Sequence, residues 1–95
     1  MDAIERIQIW YASQCNGDWE HQFGISIETI DNPGWCVKID LVGTSLEDVS
    51  VESFKKDSGE KDWISYEIHD NKFIGYGDPH KLQSILECFM KLIEI

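Results

Sequence analysis

Hydrophobic residues recur with a helical period at both ends of the chain. Near the N-terminus, Ile4, Ile7 and Tyr11 lie three to four residues apart, and Asp2 stands where an acidic side chain can cap the first turn. This pattern predicts a helix near residues 2–14.

The C-terminal segment carries the second helical pattern. Asp78-Pro79 supplies an N-cap acceptor followed by proline at the first helical position, which predicts a helix start there. The apolar stripe behind it consists of Leu82, Ile85, Leu86, Phe89 and Ile93.

Between the helices the period changes to two, which indicates strands. The clearest strand covers residues 35–41, where apolar and polar side chains alternate, and an earlier one begins at Ile25. Asn32-Pro33-Gly34 reads as the turn between them, with glycine available for a positive φ. Residues 24–41 are therefore predicted to form an antiparallel hairpin.

Two further strands are predicted in the second half of the chain, near residues 49–54 and 63–69. Residues 73–76 resemble a short edge strand, which Gly75 and Gly77 would weaken.

This order of elements predicts one α+β domain over residues 1–95. An antiparallel sheet of about four strands would carry the N- and C-terminal helices on one face, in the order α-β-β-β-β-α. Strand alternation assigns Trp35 and the other apolar strand residues to the helix side. It leaves an acidic solvent face with one aromatic side chain, formed by Glu28, Lys38, Asp40, Glu52, Trp63 and Glu67.

The chain is strongly acidic, with 18 carboxylates, 8 basic residues and a net charge of −10. The whole excess lies in residues 1–70. Such a charge disfavours nucleic acid and anionic membranes and favours basic partners. No long apolar run or leader pattern is present, and three cysteines indicate no disulfide framework, so a reduced, cytoplasmic protein is expected.

Cys15, Asp18, Glu20 and His21 are the side chains most able to carry chemistry. A Cys–His pair could activate a thiolate, and the four together could bind a metal. However, no orienting group is identifiable, and the spacing matches no structural zinc pattern. The prediction is therefore a non-enzymatic protein without cofactor or metal. A small thiol or metal-dependent enzyme and an acidic adaptor remain the alternatives.

The same region carries a family resemblance. Trp10-Tyr11, the run Cys-x-Gly-Asp-Trp-Glu-His over residues 15–21, Asp-Asn-Pro-Gly-Trp over residues 31–35 and Ile-Asp-Leu over residues 39–41 resemble the bacterial immunity protein 53 family. The resemblance is tightest over residues 10–44. It implies a cytoplasmic antidote that binds a cognate toxin, and the acidic charge suggests that this toxin is basic, for example a nuclease.

Partner contacts are predicted in the polar loop and on the solvent face of the sheet. Trp19 has a second interpretation, as an anchor that holds its loop in the core. The predicted partner-binding residues are Asp18, Trp19, Glu20, His21, Glu28, Asp31, Asp40, Trp63 and Glu67.

Overall fold

The structure, a computed structural model, describes residues 2–94. Within these residues the chain forms three helices and five strands: α1 (Ala3–Gln14), α2 (Trp19–Gln22), β1 (Ile25–Ile30), β2 (Gly34–Asp40), β3 (Val51–Asp57), β4 (Trp63–His69), β5 (Lys72–Gly77) and α3 (Leu82–Ile93). The predicted α+β class with terminal helices is confirmed, with one strand more than expected.

The strands lie in the order β1-β2-β5-β4-β3, and every neighbouring pair is antiparallel. The prediction of an edge strand over residues 73–76 is wrong, because β5 occupies the centre of the sheet. Its glycines make this position possible. A Cβ on Gly75 would lie 2.5 Å from Ile85 Cγ2, and one on Gly77 would lie 2.6 Å from Lys81 Cβ. The bare backbone therefore lets α3 pack closely over β5.

The predicted hairpin of β1 and β2 is confirmed, but its turn covers residues 31–33, and the Asn32–Pro33 peptide bond is cis. Gly34 lies inside β2, paired with Ile30, and does not have the positive φ expected for it. A Cβ at this position would collide with the carbonyl oxygen of Gly77. Glycine is needed here for the close approach of β2 and β5.

Helix α1 begins as predicted, with Asp2 Oδ1 accepting a hydrogen bond of 2.8 Å from the Glu5 amide. Of the three residues that recur with the helical period, only Ile7 is buried. Ala3, Ile7 and Trp10 are buried, whereas Ile4 is 50% exposed. α1 packs mainly on α3, so only the side of α1 that faces α3 is buried.

Helix α3 covers β2, β5 and β4, and its predicted stripe is confirmed, with Ile85, Leu86 and Phe89 fully buried. Its start was predicted too early. The helix begins at Leu82, and Asp78 caps no helix end.

Asp78 is a buried acceptor with no exposed surface. Its carboxylate accepts hydrogen bonds from the amides of Trp63 (2.9 Å) and His80 (2.9 Å) and from Lys81 Nζ (2.7 Å). Lys81 also pairs with Asp62 at 2.8 Å. These contacts fix the start of α3 to the turn before β4.

The core lies on the helix side of the sheet. The ring of Phe73 lies near those of Tyr66 (centroids 6.0 Å apart) and Phe89 (5.1 Å), and the ring of Trp10 lies 4.9 Å from that of Phe89. The opposite face carries no helix among residues 2–94, so it is open to solvent.

Candidate partner-binding surfaces

The loop between α1 and α2 is closed by its own polar side chains. Asn16 Oδ1 accepts hydrogen bonds from the backbone amides of Asp18 (2.9 Å) and Trp19 (3.0 Å). The Glu20 carboxylate accepts hydrogen bonds from the backbone amides of Gly17 (2.9 Å) and Asn16 (3.0 Å). Hydrogen bonds from its own backbone amide and from those of Gly17 and Asn16 lower the pKa of Glu20. Glu20 is therefore a structural acceptor that also contributes charge.

Trp19 holds this loop in the core. Its side chain is 6% exposed, and its ring lies 6.1 Å from Trp10, 6.0 Å from Tyr11 and 6.1 Å from Phe23. The indole Nε1 donates a hydrogen bond of 2.7 Å to the Val42 carbonyl. The folded chain thus offers a partner almost none of the Trp19 surface, which agrees with the anchor interpretation.

The polar side chains beside Trp19 face solvent. Asp18 and His21 are exposed, and so is Cys15, whose Sγ donates to the Tyr11 carbonyl at 3.3 Å. Among residues 2–94, no group of three or more His, Cys, Asp or Glu side chains could hold a metal ion. The arrangement therefore presents separate charges to solvent.

Hydrogen bonds bring this loop together with two others at one end of the sheet. The Trp19–Val42 bond joins it to the segment after β2, and Asp40 Oδ2 accepts the Gly24 amide at 2.9 Å. Asn71, in the turn between β4 and β5, accepts the Leu41 amide through its carbonyl (2.8 Å) and the Asp48 amide through Oδ1 (2.6 Å).

We name this end, formed by residues 15–24, 40–50 and 69–72, the acidic end. It carries one lysine, Lys72, against six carboxylates: Asp18, Glu20, Asp40, Glu47, Asp48 and Asp70. Half of the net charge of −10 therefore lies here. Glu47, Asp48 and Asp70 were not among the predicted site residues. In the sequence these three residues stand out only as acidic residues in predicted loops. They form one surface with the other carboxylates only after the chain folds.

The open face of the sheet has mixed charge, which differs from the acidic face predicted. One row across the five strands runs Glu28, Cys36, Tyr76, Ser65 and Lys55, and the next places Lys38 beside Ile74 and Glu67. In total the paired positions of this face carry four carboxylates (Glu28, Asp40, Asp57 and Glu67) and three lysines (Lys38, Lys55 and Lys72).

A groove of about 1280 Å³ lies on the open face at the end opposite the acidic end. The half-buried Trp63 lines it, and its ring lies so close to Gly34 that an added Cβ there would come within 3.3 Å. Other residues that line it include Ile30, Pro33, Lys55, Lys61, Tyr76 and Pro79. Two lysines and two carboxylates among the lining residues make the groove neutral, apart from His80.

The predicted site residues therefore do not form one surface. Asp18, Glu20, His21 and Asp40 lie at the acidic end. Asp31 lies in the turn beside the groove, and Trp63 lines the groove itself. The remaining two strand residues, Glu28 and Glu67, lie between these regions on the open face.

Fold and surfaces together define a small α+β domain with one open sheet face and strongly unequal charge at its two ends. The sequence model of one family, immunity protein 53, matches residues 4–94. The chain therefore belongs to the immunity protein 53 family, and this membership supports a function in immunity. A search of curated proteins gives no significant match, and neither does a search of solved structures. None of the helices in residues 2–94 is long and apolar enough to cross a membrane.

Proposed function

We propose that this protein neutralises a cognate toxin by stoichiometric binding, and that the acidic end is its main contact surface. The observation that supports this is the concentration of six carboxylates against one lysine at that end. A field of this sign steers a cationic surface into contact and disfavours acidic partners. The groove through which a nuclease binds nucleic acid is a surface of this kind.

Individual residues of the acidic end have different tasks in this proposal. Asp18, Glu47 and Asp48 are exposed and can meet lysine or arginine side chains of the toxin, and Asp70 is exposed beside His69, whose Nε2 lies 3.3 Å from its carboxylate. Glu20 and Asp40 accept backbone hydrogen bonds within the chain, so they contribute mainly to the field. Carboxylates that stand apart can each pair with a different lysine or arginine side chain of the toxin, whereas binding a single metal ion would require them close together.

Trp63, in the groove at the end opposite the acidic end, is proposed as the apolar anchor of a second contact, made by a toxin that extends along the open face. Large, partly exposed aromatic side chains held in fixed positions supply much of the energy at protein interfaces. Trp63 is half-buried, and its backbone N–H donates a hydrogen bond of 2.9 Å to the buried Asp78 carboxylate, which fixes the position of this residue. Neutralisation by covering a toxin surface requires no catalytic group, so the proposed activity is binding alone.

Co-expression with the toxin encoded by a neighbouring gene tests the proposal. We expect rescue of growth and a complex containing one copy of each chain. Changing Asp18, Asp48 and Asp70 together to asparagine should impair rescue. Asparagine tolerates the positive φ of Asp48 (64°) and Asp70 (53°), so the fold should persist.

The matched control changes Asp2 to asparagine and Glu5 and Glu87 to glutamine, which removes three exposed charges outside the acidic end and the groove. Asparagine can still cap α1 at position 2. This control should rescue growth as well as the unaltered chain does. Equal loss in both triple variants would show that only total charge matters, and unimpaired rescue by both would exclude the acidic end as the contact surface.

A further inference from the structure

The two edges of the sheet differ in how well they resist pairing with another strand. Along β3, three steps from Val51 to Phe54 oppose two steps of β4, which marks a bulge, and Lys55 and Lys56 follow on the same exposed strand. Bulges and lysines are devices that keep an edge strand unpaired.

Strand β1 has none of these protections. Its six residues pair with β2 in unbroken register, and Glu28 is its one charged residue. Ile27 is 42% exposed on the helix side, so helix packing leaves this part of the edge uncovered. A regular, weakly charged and partly apolar edge favours addition of a strand.

The hydrogen bonds of β1 identify which backbone groups face outward. The Asp40 amide donates to the Gly24 carbonyl at 3.1 Å, so Gly24 and Asp40 form a hydrogen-bonded pair. Such pairs alternate along an antiparallel ladder. Ser26 and Glu28 therefore bond to β2, and the amides and carbonyls of Ile25, Ile27 and Thr29 point away from the sheet.

From this edge we infer that β1 pairs with β1 of a second copy of the chain, in an antiparallel dimer centred on Ile27. A two-fold axis through Ile27 sets Ile27 opposite its own copy and Ile25 opposite Thr29, so all outward amides and carbonyls of the three residues are paired. It also sets Ser26 opposite Glu28, which keeps the two carboxylates from facing each other directly. The Ser26 hydroxyl already donates to Glu28 of its own chain at 3.0 Å, so this pair adds no new donor.

Neighbouring registers are less favourable. Moving the axis to Glu28 would place two carboxylates directly opposite each other, which destabilises a strand pair. Moving it to Ser26 would leave the outward groups of Thr29 opposite Phe23, outside β1. The sequence of β1 is thus complementary to itself in one register.

Charge and size make this dimer weak and dependent on salt. One pair of short strands buries less than a standard interface of about 1,600 Å². Two chains of net charge −10 repel each other at long range, and salt screens this repulsion. Added salt should therefore strengthen dimerisation, whereas it should slow association with a basic toxin. The dimer does not depend on the proposed function.

Sedimentation of the full chain from about 1 µM to about 1 mM, the range in which weak complexes dissociate, tests the inference at low and high salt. We expect the mass to rise from 11.0 kDa toward twice that value, at lower concentration in high salt. Ile27→Lys places like charges together at the axis and should weaken dimerisation about tenfold or more.

Ile9→Lys is the matched control, since Ile9 is 56% exposed on α1 and the charge change is the same. It should dimerise like the unaltered chain, and circular dichroism should show that both variants are folded. A mass that stays at one chain in high salt would overturn the inference, as would a dimer unaffected by Ile27→Lys. A monomer that loses toxin binding on Ile27→Lys would assign the edge to a toxin strand and also overturn it.

Discussion

The indole nitrogen of Trp19 donates a hydrogen bond of 2.7 Å to the carbonyl oxygen of Val42, 23 residues away. This bond joins the loop before α2 to the segment after β2, and both belong to the acidic end. A side chain inside the core therefore determines where several exposed carboxylates stand.

The two tryptophans Trp19 and Trp63 should have separable effects. Trp19→Phe removes the donor to Val42 and should lower the free energy of unfolding by about 1–3 kcal/mol, and its loss of toxin affinity should be smaller than that of Trp63→Ala. Trp63→Ala should weaken toxin binding by about 2 kcal/mol or more. Urea unfolding and calorimetric titration with the toxin measure the two quantities. A larger affinity loss from Trp19→Phe than from Trp63→Ala would contradict the assignment of Trp63 as anchor.

Association with a basic toxin should depend on ionic strength. At low salt, electrostatic steering should bring the association rate toward about 10⁸ M⁻¹s⁻¹. The Debye length shortens from about 30 Å at 0.01 M to about 8 Å at 0.15 M, so association should slow markedly while dissociation changes less. Stopped-flow mixing across a salt series checks this.

Single charge changes refine the same measurement. Asp18→Asn should slow association, and Glu87→Gln on α3 should leave it nearly unchanged. Glu94→Gln is a poor control because Glu94 pairs with Arg6. A flat salt dependence would mean that the acidic residues serve solubility alone.

Stability should fall in acid through Asp78. Hydrogen bonds from Lys81 Nζ and from the His80 and Trp63 amides lower the pKa of Asp78 from 3.8 to about 2. The unfolded chain then binds the proton more readily, so stability rises with pH through this window. The contribution of Asp78 should be complete above its unfolded pKa and be lost as the pH falls toward about 2.

Urea unfolding of the unaltered chain and of Asp78→Asn between pH 5 and pH 2 checks this dependence. The difference between the two free energies of unfolding should shrink as the pH falls. A difference that stays constant over the range would show that Asp78 does not titrate as described.

Gly34→Ala should destabilise the sheet, because its methyl group would collide with the Gly77 carbonyl between β2 and β5. Overpacking of this kind costs about 1–3 kcal/mol. Gly24→Ala is the matched control, since an added Cβ there meets nothing within 4 Å. Thermal unfolding should show a lower midpoint for Gly34→Ala than for the control.

Cys15→Ser should leave toxin neutralisation intact. Its thiol is exposed, and a serine hydroxyl can keep the hydrogen bond to the Tyr11 carbonyl. Growth rescue by the variant checks this. A folded variant that fails to rescue would support the thiol-enzyme alternative.

The alternation of apolar and polar residues correctly predicted the elements whose buried side can be read from their own sequence. Helix α3 and strand β2 carry their apolar stripes within one continuous segment, so their sequence is sufficient to recognise them. The turn between β4 and β5 was missed, because Asp70 and Asn71 adopt positive φ values of 53° and 59° without glycine or proline.

Tertiary packing decided the features that the sequence did not reveal. Gly75 argues against a strand by propensity, yet it places β5 at the centre because it makes room for α3. Asp78 resembles a helix cap in sequence, yet it is a buried acceptor. The acidic end combines three segments that are far apart in sequence. The sequence shows that these segments are acidic, but not that they lie side by side in the fold.

The bulge in β3 limits what can grow from this sheet. Whatever strand pairs with β1, the far side of the molecule presents Lys55, Lys56 and an irregular ladder that accept no further strand. The fold thus favours strand addition at one edge only. Strand addition at a single edge ends at a dimer, so this architecture disfavours growth into fibres.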